Sequence, residues 1–343
     1  MIHKLKADEF LKKRTNTVLF DVRSPAEYER GHIPGAISLP LFSNEERQQV
    51  GTIYKQKGRE IAIDKGLEFV TSKVMGMLHS VKSISTERRV LLYCWRGGMR
   101  SGSIAWMLDL YGFHVSVLQG GYKAYRHLQD HCYQQAKPFL VLGGNTGSGK
   151  TEVLRELQNR GEQFLDLEKI ASHRGSAFGA IGMPDQPNSE HFTNLLFDDY
   201  INLNPNRIIW IEDESKSIGR VHLSPLFFDL LKNSPMIVLD IPREARAQML
   251  ERTYGFISSE AVRDVIEKVA KRMGGQNVSE ALQALEENNR ELVIDHLLRY
   301  YDRAYSHSMG KHERKIDIIK FESTSIDPIC SALLTWTKNL QTL

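Results

Sequence analysis

Residues 139–151 read FLVLGGNTGSGKT, an apolar run that ends abruptly in a glycine-rich turn. The turn contains the pattern Gly-x-x-x-x-Gly-Lys-Thr, and helix-like sequence follows it. An apolar strand, a glycine-rich loop and a helix in this order predict a cradle whose backbone N–H groups bind a di- or triphosphate. The residues of this predicted phosphate loop are Gly144, Asn145, Thr146, Gly147, Ser148, Gly149, Lys150 and Thr151.

Two parts of this region are candidates for charge neutralisation. Within the phosphate loop, Lys150 is expected to reach the terminal phosphoryl oxygens and Thr151 to hold Mg²⁺. A second apolar run, IIWIEDES at 208–215, ends in three acidic residues that begin with Glu212. A carboxylate in that position orients Mg²⁺, usually through water. Thr151 and Glu212 are therefore the candidate magnesium ligands, and a solvated strand end is the alternative.

Short apolar runs recur on both sides of the phosphate loop, with helix-like sequence between them. Near-continuous apolar runs are typical of strands covered on both faces, and their alternation with helices predicts parallel α/β sheets. The predicted strands are 17–22, 36–40, 89–94 and 114–119 before the loop, then 139–144, 163–168, 207–212, 236–241 and 316–321.

A chain of 343 residues suits two domains of ordinary size. Residues after 255 form long amphipathic stretches, in which Ser259 and Ser279 are the predicted helix N-caps. The predicted organisation is a parallel-sheet domain at 1–130, a linker at 131–138, and a phosphate-loop domain at 139–343 with a helical region at about 256–305.

A second glycine-rich turn, CWRGGMRS at 94–101, follows another predicted strand. Its two glycines allow an anion nest, and two arginines and a helix N-terminus add positive potential. This setting favours the thiolate of Cys94 and makes it a candidate nucleophile, whereas Cys132 and Cys330 read as packing residues. The residues predicted to form the anion loop around Cys94 are Trp95, Arg96, Gly97, Gly98, Met99, Arg100 and Ser101.

A third polar segment, DLEKIASHRGSAFGAIG at 166–182, follows the next predicted strand. Parallel α/β sheets bind ligands at the carboxyl ends of their strands, so polar side chains here are candidates for substrate contacts. Four arginines further along the chain are candidates for clamping phosphates or an RNA backbone, with solvated helix charges as the alternative: Arg220, Arg243, Arg246 and Arg252. The substrate-binding candidates are His173, Arg174, Ser176, Arg220 and Arg246.

Composition narrows the class of protein further. The formal charge of +3 and the pI near 8.6 permit a nucleic-acid partner without requiring one. The N-terminus has no apolar signal region, and no run of apolar residues is long enough to predict a membrane span. The chain has only three cysteines, and they are widely spaced, so a disulfide framework is not expected. This favours a cytoplasmic location.

Three stretches together resemble a rhodanese domain, whose cysteine carries a transferable sulfur or selenium. They are DVRSPAEYERGHIPGAISLP at 21–40, the cysteine loop, and LQGGYKAY at 118–125. The usual sulfurtransferase loop has four residues between cysteine and arginine, whereas Cys94 and Arg100 enclose five. A five-residue loop also resembles that of dual-specificity phosphatases, so loop length alone leaves the chemistry open.

The rhodanese-like stretches, the phosphate loop, DLEKIASHRGSAFG and WIEDESKSIG in this order resemble the bacterial tRNA 2-selenouridine synthase family. The insert VGTIYKQKGREIAIDKG at 50–66 is similar to that family as well, so the resemblance spans almost the whole chain. It implies an enzyme that replaces sulfur by selenium in wobble 2-thiouridine of tRNA. The resemblance implies two reactions: geranyl diphosphate would first alkylate the sulfur, and selenophosphate would then supply selenium while the geranylthio group leaves.

The resemblance also implies how the two predicted sites divide the work. Cys94 would deliver selenium as a perselenide held by Arg96 and Arg100, and the phosphate loop would bind the prenyl diphosphate, with Mg²⁺ as a candidate ion. A selenophosphate-producing enzyme is a candidate donor partner. The tRNA-docking face stays open, with the helices after 255 and the insert at 50–66 as candidates.

Three other functions fit parts of the sequence. A cysteine-dependent phosphatase fused to a kinase-like domain suits the five-residue loop, but leaves the segment 166–182 without a role. An ATP-dependent tRNA sulfurtransferase would use the same two loops on an unthiolated tRNA. A regulatory RNA-binding module would use the cysteine loop only to sense anions.

Overall fold

The computed structural model describes residues 2–135, 137–254, 258–309 and 314–341. The chain divides into two units, Met1–Gln135 with Asn188–Asp198, and Ala136–Pro187 with Asp199–Leu343. Each unit is built on a five-stranded sheet whose neighbouring strands are all parallel. The predicted α/β class with two parallel sheets is therefore confirmed. None of the helices among the described residues is long and apolar enough to span a membrane.

The sheet of the first unit has the order β1-β5-β4-β2-β3. Its strands are β1 (Ile2–Leu5), β2 (Val18–Asp21), β3 (Ile37–Ser38), β4 (Arg89–Tyr93) and β5 (His114–Leu118). Its helices are α1 (Ala7–Arg14), α2 (Pro25–Arg30), α3 (Asn44–Lys57), α4 (Arg59–Thr71), α5 (Val74–Ile84), α6 (Met99–Leu110) and α7 (Gly121–Gln134). Sequence reasoning missed only β1, because this edge strand is mostly exposed and lacks an apolar run.

Strand β4 is the central strand of this sheet, and its last four residues are buried. Both faces are covered, so the strand reads as a continuous apolar run that stops where the chain leaves the core. Cys94 is the next residue, and α6 begins at Met99. The cysteine loop therefore lies at the carboxyl edge of the sheet, where α/β folds bind ligands.

Helix α10 (Ser189–Ile201) contributes its residues up to Asp198 to the first unit. Asn194 is fully buried there, and its amide donates to the hydroxyl of Tyr122 at 2.6 Å and to the carbonyl of His32 at 2.9 Å. Its oxygen accepts from Arg126 at 2.8 Å. A segment from inside the range 139–343 thus completes the packing of the N-terminal sheet.

The sheet of the second unit has the order β12-β11-β6-β8-β7, again with the loop-bearing strand in the centre. Its strands are β6 (Phe139–Gly144), β7 (Gln163–Leu165), β8 (Ile209–Glu212), β11 (Met236–Asp240) and β12 (Ile316–Lys320), with a small antiparallel pair β9 (Ser217–Ile218) and β10 (Val221–His222). Its remaining helices are α8 (Lys150–Asn159), α9 (Leu167–Ala171), α11 (Pro225–Asn233), α12 (Arg243–Tyr254), α13 (Ser259–Met273), α14 (Gly275–Glu286), α15 (Arg290–Met309) and α16 (Ile326–Gln341).

Helices α13 to α15 lie in the range of the predicted helical region, although both predicted N-caps are wrong. Ser258 caps α13, with its hydroxyl accepting the N–H of Ala261 at 3.3 Å, so Ser259 is the first helical residue. Ser279 lies inside α14, which follows a glycine instead of a capping serine. Residues 256 and 257 of the predicted region lie outside the described residues. The apolar faces of the three helices form a core of their own.

Candidate active site

Cys94 lies at the base of the cysteine loop. Only 3% of the residue is exposed, and its Sγ is 3.2 Å from Oγ of Ser101 in the first turn of α6. The first N–H groups of a helix have no partners within it, so α6 offers an anion-stabilising end beside the thiol. Cys94 is thus nearly enclosed, and it packs among the buried side chains of the first unit.

Two glycines let the cysteine loop approach the turn before α7 very closely. Gly97 has a φ of +63°, and a Cβ there would lie 2.5 Å from the carbonyl oxygen of Leu118. Gly121 has a φ of +61°, and its Cβ would lie 2.3 Å from the carbonyl oxygen of Cys94. The N–H of Tyr122 donates to the same carbonyl at 2.8 Å. The backbone of the candidate nucleophile is therefore fixed by the GGY segment, and neither glycine tolerates a side chain.

The two loop arginines occupy different surroundings. Arg96 is exposed, whereas Arg100 donates to both carboxylate oxygens of Glu27, at 2.6 and 3.3 Å. Burial by itself would raise the pKa of Glu27, but the hydrogen bonds and charge of Arg100 bring it below its ordinary value. Arg100 thus ties the start of α6 to α2, and Glu27 is a loop partner that sequence reasoning missed.

The phosphate loop follows β6 and leads directly into α8. Gly147 has a φ of +83°, and a Cβ there would lie 2.8 Å from the carbonyl oxygen of Arg246. Nζ of Lys150 donates to the carbonyl of Gly144 at 2.7 Å, so the lysine folds back over the loop. The hydroxyl of Thr151 donates to Oε2 of Glu168 at 2.9 Å.

Three carboxylates lie beside the phosphate loop: Glu168, Glu212 and Glu214. Burial raises the pKa of all three, repulsion from neighbouring carboxylates adds to this, and the pKa of Glu214 reaches about 8. Oε2 of Glu212 accepts the N–H of Leu167 at 2.9 Å, while its buried Oε1 has no hydrogen-bond partner among the described residues. Asp213 differs, because Lys232 and Arg314 outweigh its burial and hold its pKa below the ordinary value.

The oxygens beside the phosphate loop suit Mg²⁺, but with a different ligand pair from the one predicted. Within the described residues no group of three acidic, histidine or cysteine side chains is arranged to hold a metal. Mg²⁺ bound with phosphates needs only one or two protein ligands, however, and completes its shell with phosphate oxygens and water. At the loop, the hydroxyl of Thr151 and the carboxylate of Glu168 are adjacent and supply the candidate ligand oxygens. The carboxylate of Glu212 accepts the backbone N–H of Glu168.

A cavity of about 740 Å³ joins the phosphate loop to an apolar wall. Its polar end includes most of the phosphate loop together with Arg174 and Ser176, so the structure brings these two sequence candidates to the loop. The apolar part of its lining, here called the apolar chamber, consists of Phe178, Leu250, Val262, Leu285, Val293, Ile294 and Leu297. Helix α15 supplies the last three of these side chains, from a region without any sequence signature.

The other candidates do not line the cavity. They are Asn145, His173, Glu212, Arg220 and Arg246. His173 is buried, which lowers its pKa and keeps the ring neutral, and its Nδ1 accepts the N–H of Gly175 at 3.1 Å. The histidine therefore shapes the 173–179 turn that presents Arg174 to the cavity.

Helix α15 also holds the phosphate loop from behind. Asp302 forms two hydrogen bonds with the buried guanidinium of Arg246, at 2.9 and 2.8 Å, and Arg246 donates to the carbonyl of Thr146 at 3.0 Å. The hydroxyl of Tyr305 accepts the N–H of Gly144 at 2.9 Å. One helix thus lines the apolar chamber and fixes the backbone of the loop that would bind phosphates.

Comparison with known proteins agrees with this two-site architecture. Residues 6–128 match the rhodanese-like domain family, and residues 137–332 match the tRNA 2-selenouridine synthase AAA domain family. A tRNA 2-selenouridine synthase of Hydrogenovibrio crunogenus is 36% identical, with 88% of this chain and 92% of that protein covered. The chain belongs to the tRNA 2-selenouridine synthase family. Proteins of the same name from Sulfurovum sp. and Nitrosomonas europaea are 33% and 32% identical, covering 88% and 83% of this chain and 91% and 87% of theirs.

Sequence reasoning missed two residues that line the cavity, Tyr301 and Tyr305. They are four residues apart in RYYDRAY at 299–305 and share a helix face. The hydroxyl of Tyr301 accepts the N–H of Ala177 at 3.2 Å. Their partners are over 120 positions away, so only the folded chain reveals what this face contacts.

Ionisation of Glu214 should make the affinity of the cavity for anions depend on pH. Its pKa of about 8 keeps it protonated at neutral pH, and ionisation above that pH adds negative charge beside the phosphate loop. The affinity for inorganic diphosphate should therefore fall as pH rises through about 8. The Glu214→Gln variant should lose this fall, measured by calorimetric titration at a series of pH values.

The matched control for Glu214 is Glu152→Gln, which changes another carboxylate that lines the cavity. That variant should keep the wild-type pH dependence. The raised folded pKa also means that the stability contributed by protonated Glu214 is present below its unfolded pKa and is lost as pH rises toward 8. The assignment fails if Glu214→Gln and the wild type lose diphosphate affinity equally between pH 7 and 9.

Proposed function

We propose that this chain replaces the sulfur of wobble 2-thiouridine in tRNA by selenium, through an S-geranyl intermediate. As a member of its family it is an enzyme that modifies tRNA. The single cavity that joins a phosphate loop to the apolar chamber carries the proposal. Such a cavity suits a ligand with a diphosphate at one end and a hydrocarbon chain at the other.

The apolar chamber favours a prenyl diphosphate over a nucleotide as the cavity's ligand. The cavity volume of about 740 Å³ lies within the range of small-molecule sites. Each CH₂ group removed from water contributes about 0.8 kcal/mol, so a ten-carbon chain gains substantially from this wall. A nucleotide would place a polar ribose and base against the same side chains, and those polar groups would lose hydrogen bonds to water.

In the proposed first reaction, the bond between the prenyl C1 and the diphosphate oxygen breaks, and a bond from sulfur to C1 forms. The diphosphate leaves as an anion, and the uracil ring loses its N3 proton. Lys150 and Arg174 lie at the polar end of the cavity, where they would stabilise the growing charge on the leaving group. Mg²⁺, held by Thr151 and Glu168, would supply further neutralisation when bound.

In the proposed second reaction, selenium bonds to C2 of the ring and the geranylthio group leaves from the same carbon as geranylthiol. The P–Se bond of selenophosphate breaks, and water takes up the phosphoryl group as phosphate. A thiocarbonyl sulfur leaves poorly as sulfide, whereas an S-alkylated carbon is electrophilic and releases a thiol. We assign the delivery of selenium to Cys94 in its loop. Selenium has the same oxidation state in selenophosphate and in the product. A perselenide on Cys94 would therefore require a disulfide as the oxidant that forms it and thiols as the reductant that releases the selenium.

A charge placed in the apolar chamber tests the prenyl assignment. Ile294 lines the chamber from α15, so Ile294→Asp should weaken binding of geranyl diphosphate by about 10- to 100-fold, because the carboxylate replaces an apolar contact and loses water when the hydrocarbon chain binds. Binding of inorganic diphosphate should change by less than about 3-fold, since the phosphate loop is untouched. Both affinities are measured by calorimetric titration of the full chain.

Leu292→Asp is the matched control, since Leu292 lies on the same helix, is exposed and does not line the cavity. It should bind both ligands like the wild type. If Ile294→Asp weakened binding of geranyl diphosphate and of inorganic diphosphate equally, the apolar chamber would not be the prenyl-binding site. Tight binding of ATP that excludes geranyl diphosphate would favour the sulfurtransferase alternative.

A further inference from the structure

Helix α6 exposes an apolar face that runs away from the cysteine loop. Met99, Gly102, Ser103, Trp106 and Leu110 share this face, here called the α6 face, because they recur at helical spacing. All five are exposed, and Trp106 and Leu110 are 62% and 66% accessible. The opposite side of the same helix is already packed into the core of the first unit. The α6 face is therefore additional to the folding interface, and large exposed apolar side chains grouped in this way mark binding surfaces.

Most of the charged residues around the α6 face are basic. At its far end, Tyr111 follows the helix, with Nζ of Lys82 4.8 Å from its ring and Arg88 donating to its carbonyl at 3.4 Å. At its near end lies the exposed Arg96. Within α5 and α6, both wholly described, the only acidic residue is the half-buried Asp109. This charge distribution complements a polyanion.

We propose that the α6 face binds the unpaired nucleotides of the tRNA anticodon loop next to the base that is modified. The proposal rests on the proposed function, since that function requires the target base to meet the cysteine loop from which the face extends. An exposed indole flanked by cations matches the way single-stranded nucleic acids are bound, by stacking of bases and neutralisation of phosphates. Gly102 and Ser103 leave room for a sugar–phosphate backbone beside Trp106.

The face has the dimensions for such a segment. From Met99 to Leu110 the helix rises by about 16 Å, at 1.5 Å per residue, which accommodates several nucleotides. In this arrangement Trp106 stacks on a base, Met99 and Leu110 contact neighbouring apolar edges, and Lys82 and Arg88 lie at the end where phosphates continue. The docking surface is thereby placed on the N-terminal unit, beside the site that we assign to selenium delivery.

The test measures binding of a thiolated anticodon stem–loop RNA to the full chain by fluorescence anisotropy. Trp106→Ala should weaken binding by about 5- to 150-fold, the effect of losing one base-stacking contact. Lys82→Ala should reduce the slope of log affinity against log salt by about 1, as expected for one phosphate contact. Leu110→Ala should also weaken binding. Its matched control is Leu67→Ala, which removes a leucine that is 59% exposed on α4 and should leave the affinity unchanged.

Trp106 is exposed, so its replacement should leave the unfolding temperature unchanged, which thermal unfolding verifies. Wild-type RNA affinity in Trp106→Ala would overturn the proposal. If that variant also showed altered self-association in sedimentation, the face would be a contact between protein copies. At RNA concentrations far above its dissociation constant, Trp106→Ala should still form 2-selenouridine. If the wild type binds the stem–loop through Trp106 yet forms no modified nucleoside, the docking face stands and the proposed function fails.

Discussion

In the Lys150→Ala variant, transfer of the geranyl group to 2-thiouridine should fall by about 100- to 1,000-fold, the usual cost of removing one preorganised charge contact in a transition state. Nζ of Lys150 lies at the polar end of the cavity, 2.7 Å from the carbonyl of Gly144. Charge grows on the diphosphate as its bond to carbon breaks, so the lysine acts mainly on the rate. The measurement is the initial rate of S-geranyl-2-thiouridine formation, followed by mass spectrometry of nucleosides.

The control for this variant is Lys216→Ala, which removes an exposed lysine from the same cavity but outside the phosphate loop. It should keep most of the geranylation rate. The Lys150→Ala protein should also selenate a tRNA that already carries the S-geranyl group, because that step is assigned to the other unit. Unchanged geranyl transfer in Lys150→Ala would exclude the phosphate loop from this reaction.

The Cys94→Ser variant should lose selenium incorporation by about 10,000-fold or more, the scale seen when an enzyme nucleophile is removed. Serine preserves the size of the side chain and its contact with Ser101, at 3.2 Å in the native protein, but lacks the reactive sulfur. Geranylation should continue, so S-geranylated tRNA should accumulate. Both nucleosides are quantified in one mass-spectrometric run.

Cys132→Ser is the matched control, because Cys132 is half-buried on α7 and outside the cysteine loop. It should form 2-selenouridine at the wild-type rate. Loss of both reactions in Cys94→Ser would contradict the division of labour between the two units. Normal selenation in Cys94→Ser would assign selenium delivery to another group.

Much of the fold was predictable because parallel strands covered on both faces leave continuous apolar runs. Strands β4 and β6 are buried along nearly their whole length, and each is followed by a glycine-rich turn whose positive φ values demand glycine. These local requirements are visible in sequence. The edge strand β1 was missed because its exposure removes the apolar signal on which such reasoning depends.

The rest of the site depends on contacts between distant residues, which local patterns do not encode. The pairs Arg100–Glu27 and Arg246–Asp302 join residues 73 and 56 positions apart. Arg246, expected to clamp substrate, instead supports the phosphate loop from behind. The apolar chamber was likewise unpredictable, because its wall is one face of amphipathic helices that read as ordinary packing.

The central claim is that the two units act in a fixed order on one base, and sequential complementation tests it most directly. Thiolated tRNA is treated with Cys94→Ser and geranyl diphosphate, purified, and then treated with Lys150→Ala and selenophosphate; a parallel sample receives the variants in the reverse order. We expect 2-selenouridine in the first sample and none in the second. Selenouridine in the reverse order, or its absence from both samples while the wild type is active, would contradict it.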